Sequence, residues 1–167
     1  AFHYDAAGKL QKIYPIASGA PGSGTDAGLK MVTGKNADPT EVARRLWPES
    51  GGRAFGTRLL DLSWYDAKTG KTTLSGEELH GTFDRGSIGF GASHGCMRMY
   101  NNNVTELAAM VPVGTTVRIV NSPVKVGWKG GSMFVEVHEA LEEQRSIHVP
   151  EEVVARSEED TSELQSQ

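Results

Sequence analysis

The sequence predicts a mainly β protein with short helices, an α+β fold, and three observations carry that prediction. The chain has 20 glycines in 167 residues, a hydrophobic fraction of 38% and few aromatics, which suits turn-rich sheet better than a helical bundle. Apolar and polar residues alternate over short runs: in Thr57-Arg-Leu-Leu-Asp-Leu-Ser-Trp-Tyr65, Leu60, Leu62 and Trp64 share one face. Clear helical spacing is confined to two short stretches, each closed by a proline. Val42, Ala43 and Leu46 precede Pro48, and Val104, Leu107, Ala108 and Val111 precede Pro112. A chain of this length can bury a substantial core in one domain.

Residues 2–17 read as a hairpin, with Phe2–Tyr4 and Leu10–Ala17 flanking the turn cluster Asp5-Ala-Ala-Gly8. Pro15 inside the second strand implies an edge or a bulge. Ser18–Gly24 is a loop, and no Gly-Lys-Ser/Thr follows that would make it a phosphate cradle. Gly28–Thr33 is a strand. Asp38-Pro39-Thr-Glu41 starts a helix, with Asp38 as N-cap and Pro39 at the first helical position. The helical excursion at 34–56 is equally well a lid, a binding wall or a surface decoration.

The strand at Thr57–Tyr65 turns at Asp66–Gly70, and Lys71–Leu74 begins the next strand. Extended backbone at Glu77-Glu-Leu-His80 would send Leu79 and His80 to opposite faces. Asn101–Asn103 offers N-caps for the second helix. Strands at Thr115–Val120, Val124–Trp128 and Ser132–His138 follow, separated by Ser122-Pro123 and Gly130-Gly131. No internal repeat or second domain is visible. We expect a domain over 1–143 and an acidic tail over 144–167, helical at best and frayed.

The net charge of −4 is uneven: residues 139–167 hold nine acidic side chains against Arg145 and Arg156, which leaves +3 on residues 1–138. That is too little to argue for nucleic acid, though it could favour an anionic substrate. No apolar run approaches the roughly 18 to 20 residues that span a bilayer. Ala1-Phe-His-Tyr4 does not read as a signal peptide, which an exported protein would lose on maturation.

The chemistry concentrates in His80–Met99, which holds the sole cysteine, Cys96, two histidines and five glycines. A lone cysteine with histidine elsewhere is a candidate nucleophile. It needs a base, because a thiol with an ordinary value near about 8.5 is mostly protonated at neutral pH. His80, sixteen residues upstream, can reach Cys96 from an adjacent strand, whereas His94, two residues away, is better read as held within the loop. Gly95 and Cys96 can present backbone N–H groups to an oxyanion. No Asp or Asn follows to orient His80, and the Gly81 carbonyl could do so instead. A zinc site from Cys96, His80, His94 and His138 lacks the paired short spacings of structural zinc, so no metal or cofactor is expected.

His80-Gly-Thr82 followed, after a Gly-rich spacer, by Ser93-His-Gly-Cys-Met-Arg98 resembles the signature of the L,D-transpeptidase catalytic domain, the YkuD-like family. The twelve residues between His80 and Ser93 are similar to the compact spacing of its Gram-negative periplasmic branch. Pro112-Val-Gly-Thr-Thr-Val117, Ser122–Trp128 and Phe134–His138 extend the likeness over roughly 2–143. One departure stands out: the family's Thr-Pro-x-Gly-x-Phe element is matched only by Thr25-Asp-Ala-Gly28, without the proline and the aromatic.

The resemblance implies a β-sandwich-like fold and a cysteine acyltransferase acting on peptidoglycan stem peptides in the periplasm. Cys96 would attack the bond between the diamino acid at stem position 3 and the D-alanine at position 4. His80 would be the base, held by the Gly81 carbonyl. Ser93, His94 and Gly95 would shape the oxyanion region, and Arg98 would hold the loop or a substrate carboxylate. The acceptor stays open among another stem, the lysine of a murein-anchored lipoprotein, a free D-amino acid and water. Water would make the protein an L,D-carboxypeptidase or a cross-link- or lipoprotein-cleaving hydrolase.

Overall fold

The computed structural model describes residues 1–122, 124–129 and 131–137. These residues form eleven strands and two α-helices, in two compact units that divide after Asn121. The first unit opens with a hairpin of β1 (Phe2–Tyr4) and β2 (Leu10–Ile13). Asp5 closes its turn, where Oδ1 accepts from the N–H groups of Ala7 and Lys9. Such side-chain-to-backbone bonds are what make Asp a turn former. The expected long second strand through Ala17 is corrected at Pro15. Proline has no N–H to give a ladder, and β3 (Ile16–Gly19) leaves the hairpin for another sheet.

That sheet also contains β4 (Gly28–Asn36), β5 (Leu59–Asp66), β6 (Lys71–Gly81), β7 (Gly91–Ser93), β8 (Met97–Met99) and β9 (Thr116–Ile119). Its seven strands lie in the order β7-β3-β8-β6-β5-β4-β9. β6 is the pivot, antiparallel to β5 and parallel to β8. A mixed sheet here follows from the connection: the Gly-rich stretch 82–96 carries the chain from the end of β6 back to the start of β8 without a hairpin.

The alternation of side chains across the strands builds two different faces. On one, Leu60, Leu62, Leu79, Met97 and Met99 pack with Val104, Leu107 and Ala108 of α2 (Asn101–Met110) to form the main core. Each such side chain, fully buried, is worth about 1.5–3 kcal/mol. The helix begins at Asn101, with Tyr100 as cap and no side-chain capping bond. The expected capping role of Asn101 is thus corrected: its Oδ1 accepts from the Thr57 N–H at 3.3 Å instead.

The opposite face is covered by the excursion. There α1 (Thr40–Leu46) and the chain after it place Ala43 and Phe55 against Leu59, with Val42 and Ala54 alongside. Asp38 Oδ1 accepts the Thr40 N–H at 3.2 Å and stands one residue outside the cap, Pro39. Ala43 is fully buried, but Leu46, expected on the same apolar stripe, is half exposed. Leu46 is the last residue of the helix, beyond the part that packs on Phe55 and Leu59.

The second unit contains one antiparallel hairpin, β10 (Val124–Lys129) and β11 (Ser132–Val137), in register from Val124↔Val137 to Lys129↔Ser132. Its strands match the sequence expectation. His138 and the predicted tail lie outside the described residues.

Candidate active site

Parallel pairing of β6 with β8 sets Leu79 beside Met97 and His80 beside Arg98. One step earlier on each strand, the Cys96 thiol donates to Glu78 Oε2 at 2.8 Å. Leu79 and Met97 go to the core. Alternation then gives the other face to Glu78, His80, Cys96 and Arg98. Two short strand segments thus bring together a thiol, an imidazole, a carboxylate and a guanidinium.

The turn carrying Cys96 is tied on both sides. Buried Ser93 donates from Oγ to the Cys96 carbonyl at 2.5 Å and accepts the Gly95 N–H at 3.1 Å. Thr25 Oγ1 donates to the Gly95 carbonyl at 2.8 Å and accepts the Gly19 N–H at 2.9 Å. Gly95 has φ +115°, a conformation that L side chains rarely adopt, so glycine is required there. Beneath it, Glu77 Oε1 accepts the Asp26 N–H at 2.7 Å, and its other oxygen pairs with Lys30 Nζ in a buried ion pair. Lys30 Nζ also sits 4.2 Å from the centre of the Trp64 ring.

His80 is 4% exposed, and its Nδ1 lies 2.5 Å from the Gly81 carbonyl oxygen. A carbonyl only accepts, so Nδ1 carries the proton and Nε2 keeps its lone pair. Asn101 Oδ1 fills the space a side chain at Gly81 would need. The Phe55 ring meets His80 edge-on, with centroids 4.9 Å apart. Burial, reinforced by the nearby Arg98 charge, lowers the imidazole to about 4 against the pull of its Gly81 bond. Burial also dominates at Cys96, where the Glu78 bond and charge add to it and the thiol is pushed up to about 12. The resting site therefore holds a thiol and a neutral imidazole at neutral pH.

A cleft of about 290 Å³ opens over these groups, lined by Trp47, Phe55, His80, Thr82, Phe83, Asp84, Ser93, His94, Cys96 and Arg98 among others. Arg98 stands 3.8 Å from Asp84, a loose pairing that keeps the guanidinium at the cleft. The excursion at 34–56 is thus a wall of the site. His94 is exposed and lines the cleft, and is not held within the loop as expected from its position in the sequence. Gly95, expected to offer its N–H to an oxyanion, has already given it to Ser93 Oγ. Gly81 acts from behind His80.

Four features escaped the sequence reading. Glu78 could have been found, since it lies two before His80 and shares its strand face. Thr25 stands in the sequence as a departure from a motif, yet it ties down the Cys96 turn. Lys30 and Phe55 carry no local signal, because their partners are distant in sequence.

The family model of the L,D-transpeptidase catalytic domain, YkuD, matches residues 2–119. YqjB of Bacillus subtilis (strain 168), designated an L,D-transpeptidase, is 32% identical over 113 residues, covering 68% of this chain and 61% of that protein. YbiS of Escherichia coli (strain K12), of the same designation, is 38% identical over 77 residues, covering 46% of this chain and 25% of that protein. The chain thus spans about a quarter of the length of the E. coli relative. Among solved structures, the Enterococcus faecium L,D-transpeptidase C442S mutant overlaps 68% of this chain and 42% of its own, at 21% identity and a TM-score of 0.49.

Proposed function

The chain belongs to the YkuD family of L,D-transpeptidase catalytic domains, and from that premise we propose that it transfers acyl groups between peptidoglycan stem peptides through Cys96. The observation that carries this reading is the β6–β8 pairing, which sets Cys96 and His80 on one face of the sheet under one cleft. In the first half-reaction Cys96 Sγ attacks the carbonyl of the diamino acid at stem position 3, and its proton passes to His80 Nε2. The C–N bond to the fourth stem residue, a D-alanine, then breaks, and His80 returns the proton to the departing amine. A thioester to Cys96 remains. In the second half-reaction an acceptor amine attacks the thioester, His80 takes a proton from it, and the sulfur leaves as the restored thiol.

The proton step is uphill in the resting site, since the thiol is raised and the imidazole lowered. The Cys96 N–H is the proposed oxyanion donor, because the Gly95 N–H is already used by Ser93. Arg98, at the cleft and only loosely paired with Asp84, suits a substrate carboxylate. The proposed setting is the periplasm, the proposed catalytic domain runs over 1–143 with an acidic tail over 144–167, and a second stem or a murein-anchored lipoprotein takes the acyl group.

The test is incubation with defined tetrapeptide muropeptides, with and without an acceptor, read by mass. We expect loss of D-alanine with cross-linked dimer, and a covalent carbapenem adduct on Cys96. Cys96→Ala should abolish both. Tripeptide without dimer would replace transfer by hydrolysis, and undiminished turnover in Cys96→Ala would overturn the nucleophile.

A further inference from the structure

We propose that Glu78 is a positioning residue that keeps the nucleophile protonated, competing with His80 for the Cys96 proton. The inference rests on Cys96 being the nucleophile of the reaction above. It starts from geometry: among the described residues, the hydrogen-bond acceptor of the Cys96 thiol is Glu78 Oε2, at 2.8 Å, while His80 Nδ1 is bonded to Gly81. A carboxylate accepting from a thiol stabilises the protonated form twice over. Ionisation of the sulfur would lose the hydrogen bond and set two negative charges side by side.

The Glu78 backbone bond to the sulfur and the Arg98 charge oppose this without outweighing it. On β6, Glu78 shares its face with neutral His80, and Asp61 stands opposite it in register on β5. From β8, Arg98 favours the thiolate, but it also faces Asp84. Lys30 of β4 acts on Cys96 through space, yet its ammonium is held by Glu77. Exposed His94 completes the set from the loop. Among the described residues no cation lies within ion-pair distance of Glu78, whereas its neighbour Glu77 has one. Glu78 therefore brings a charge to Cys96 that nothing adjacent neutralises.

The consequence is a nucleophile that rests as an unreactive thiol. Thiolate is the species that electrophiles and oxidants attack, so Glu78 shields Cys96 from reagents that do not engage His80 and the cleft. Substrate binding then has to shift the proton from the Glu78 side to the His80 side.

The experiment is the rate of iodoacetamide alkylation of Cys96, followed by intact mass from pH 6 to 10.5 in the wild type and in Glu78→Gln. The sole cysteine confines thiol alkylation to one site, and peptide mapping separates it from amine adducts at high pH. Glu78→Gln keeps the shape and removes the charge. We expect it to alkylate at least tenfold faster at pH 8, with its rate profile displaced to lower pH by about one unit or more. A variant profile that overlies the wild type, or moves to higher pH, overturns the inference. Folding is checked by a cooperative thermal transition; if Glu78→Gln lacks one, Glu78→Ala, which also removes the charge, carries the test with the same expected sign. No muropeptide is used, so the two readings separate. A protein inactive on tetrapeptides that still shows the displacement refutes the transfer reaction and leaves the Glu78 effect standing.

Discussion

Glu77 and Glu78 are adjacent in one strand and have opposite fates. Glu77 points to the core side, where it pairs with fully buried Lys30, accepts the Asp26 N–H and packs beneath Gly95. Glu78 points to the cleft side and meets a thiol. One carboxylate is compensated by a cation and holds the Asp26 backbone beneath the turn. The other is uncompensated and acts on the group the turn presents. A strand separates structural from chemical polarity simply by alternating, and here the separation occurs between consecutive residues.

The largest expected effect comes from breaking the compensated side. Lys30→Ala leaves the Glu77 carboxylate buried without its cation, which should cost roughly 3–5 kcal/mol of unfolding free energy, measured by urea denaturation. Replacing both partners by apolar residues, Lys30→Met with Glu77→Leu, should recover most of that loss. If Lys30→Ala costs less than about 1 kcal/mol, Glu77 does not depend on its cation and the contrast with Glu78 collapses.

A smaller effect follows from His80, which lies beside Glu78 on the reactive face. Its ordinary value near 6.5 falls to about 4 in the folded protein. The folded form thus refuses a proton that the unfolded chain accepts, so His80 contributes stability above pH 6.5 that is lost as pH falls towards 4. Between pH 7 and pH 5 the loss should be about 2 kcal/mol. Denaturation of the wild type and of His80→Asn at both pH values isolates it, since carboxylates contribute equally to each. Equal pH dependence in the two proteins would mean that His80 titrates normally and is not held neutral by burial.

What the sequence could and could not reveal follows the same division. Local signals sufficed for the strands around Leu60, Leu62 and Leu79, for the second helix and for the opposition of Leu79 to His80, because period and punctuation act over a few residues. They sufficed to propose His80 and Cys96, whose side chains line one cleft in the folded chain. They failed where the partner is distant. Lys30 reads as one polar residue in an apolar strand, and only the β4–β5–β6 order brings it to Glu77. Phe55 reads as loop and becomes a wall of the cleft through its contact with His80. Pro15 gave the right warning of a break, but not the change of sheet. Glu78 was legible in principle, being two residues from His80, but its importance depends on where the turn delivers Cys96.

That turn provides the smallest of the expected effects and the one that tests whether it is held from both sides. Thr25 holds it from the core side, and Ser93 holds it from within, through the Cys96 carbonyl and the Gly95 N–H. Ser93→Ala removes a hydroxyl that serves both groups and should lower stability by about 1–2 kcal/mol, the usual cost of leaving a buried polar group without its partner. Ser93→Thr keeps the hydroxyl and should restore most of it. The fold-level loss should be modest because Thr25 still anchors the Gly95 carbonyl. Amide exchange at Gly95 should accelerate in Ser93→Ala, since that N–H loses its acceptor while the core beneath it stays intact. If exchange at Gly95 is unchanged, Ser93 does not restrain the turn, and the position of Cys96 against Glu78 depends on the core side alone.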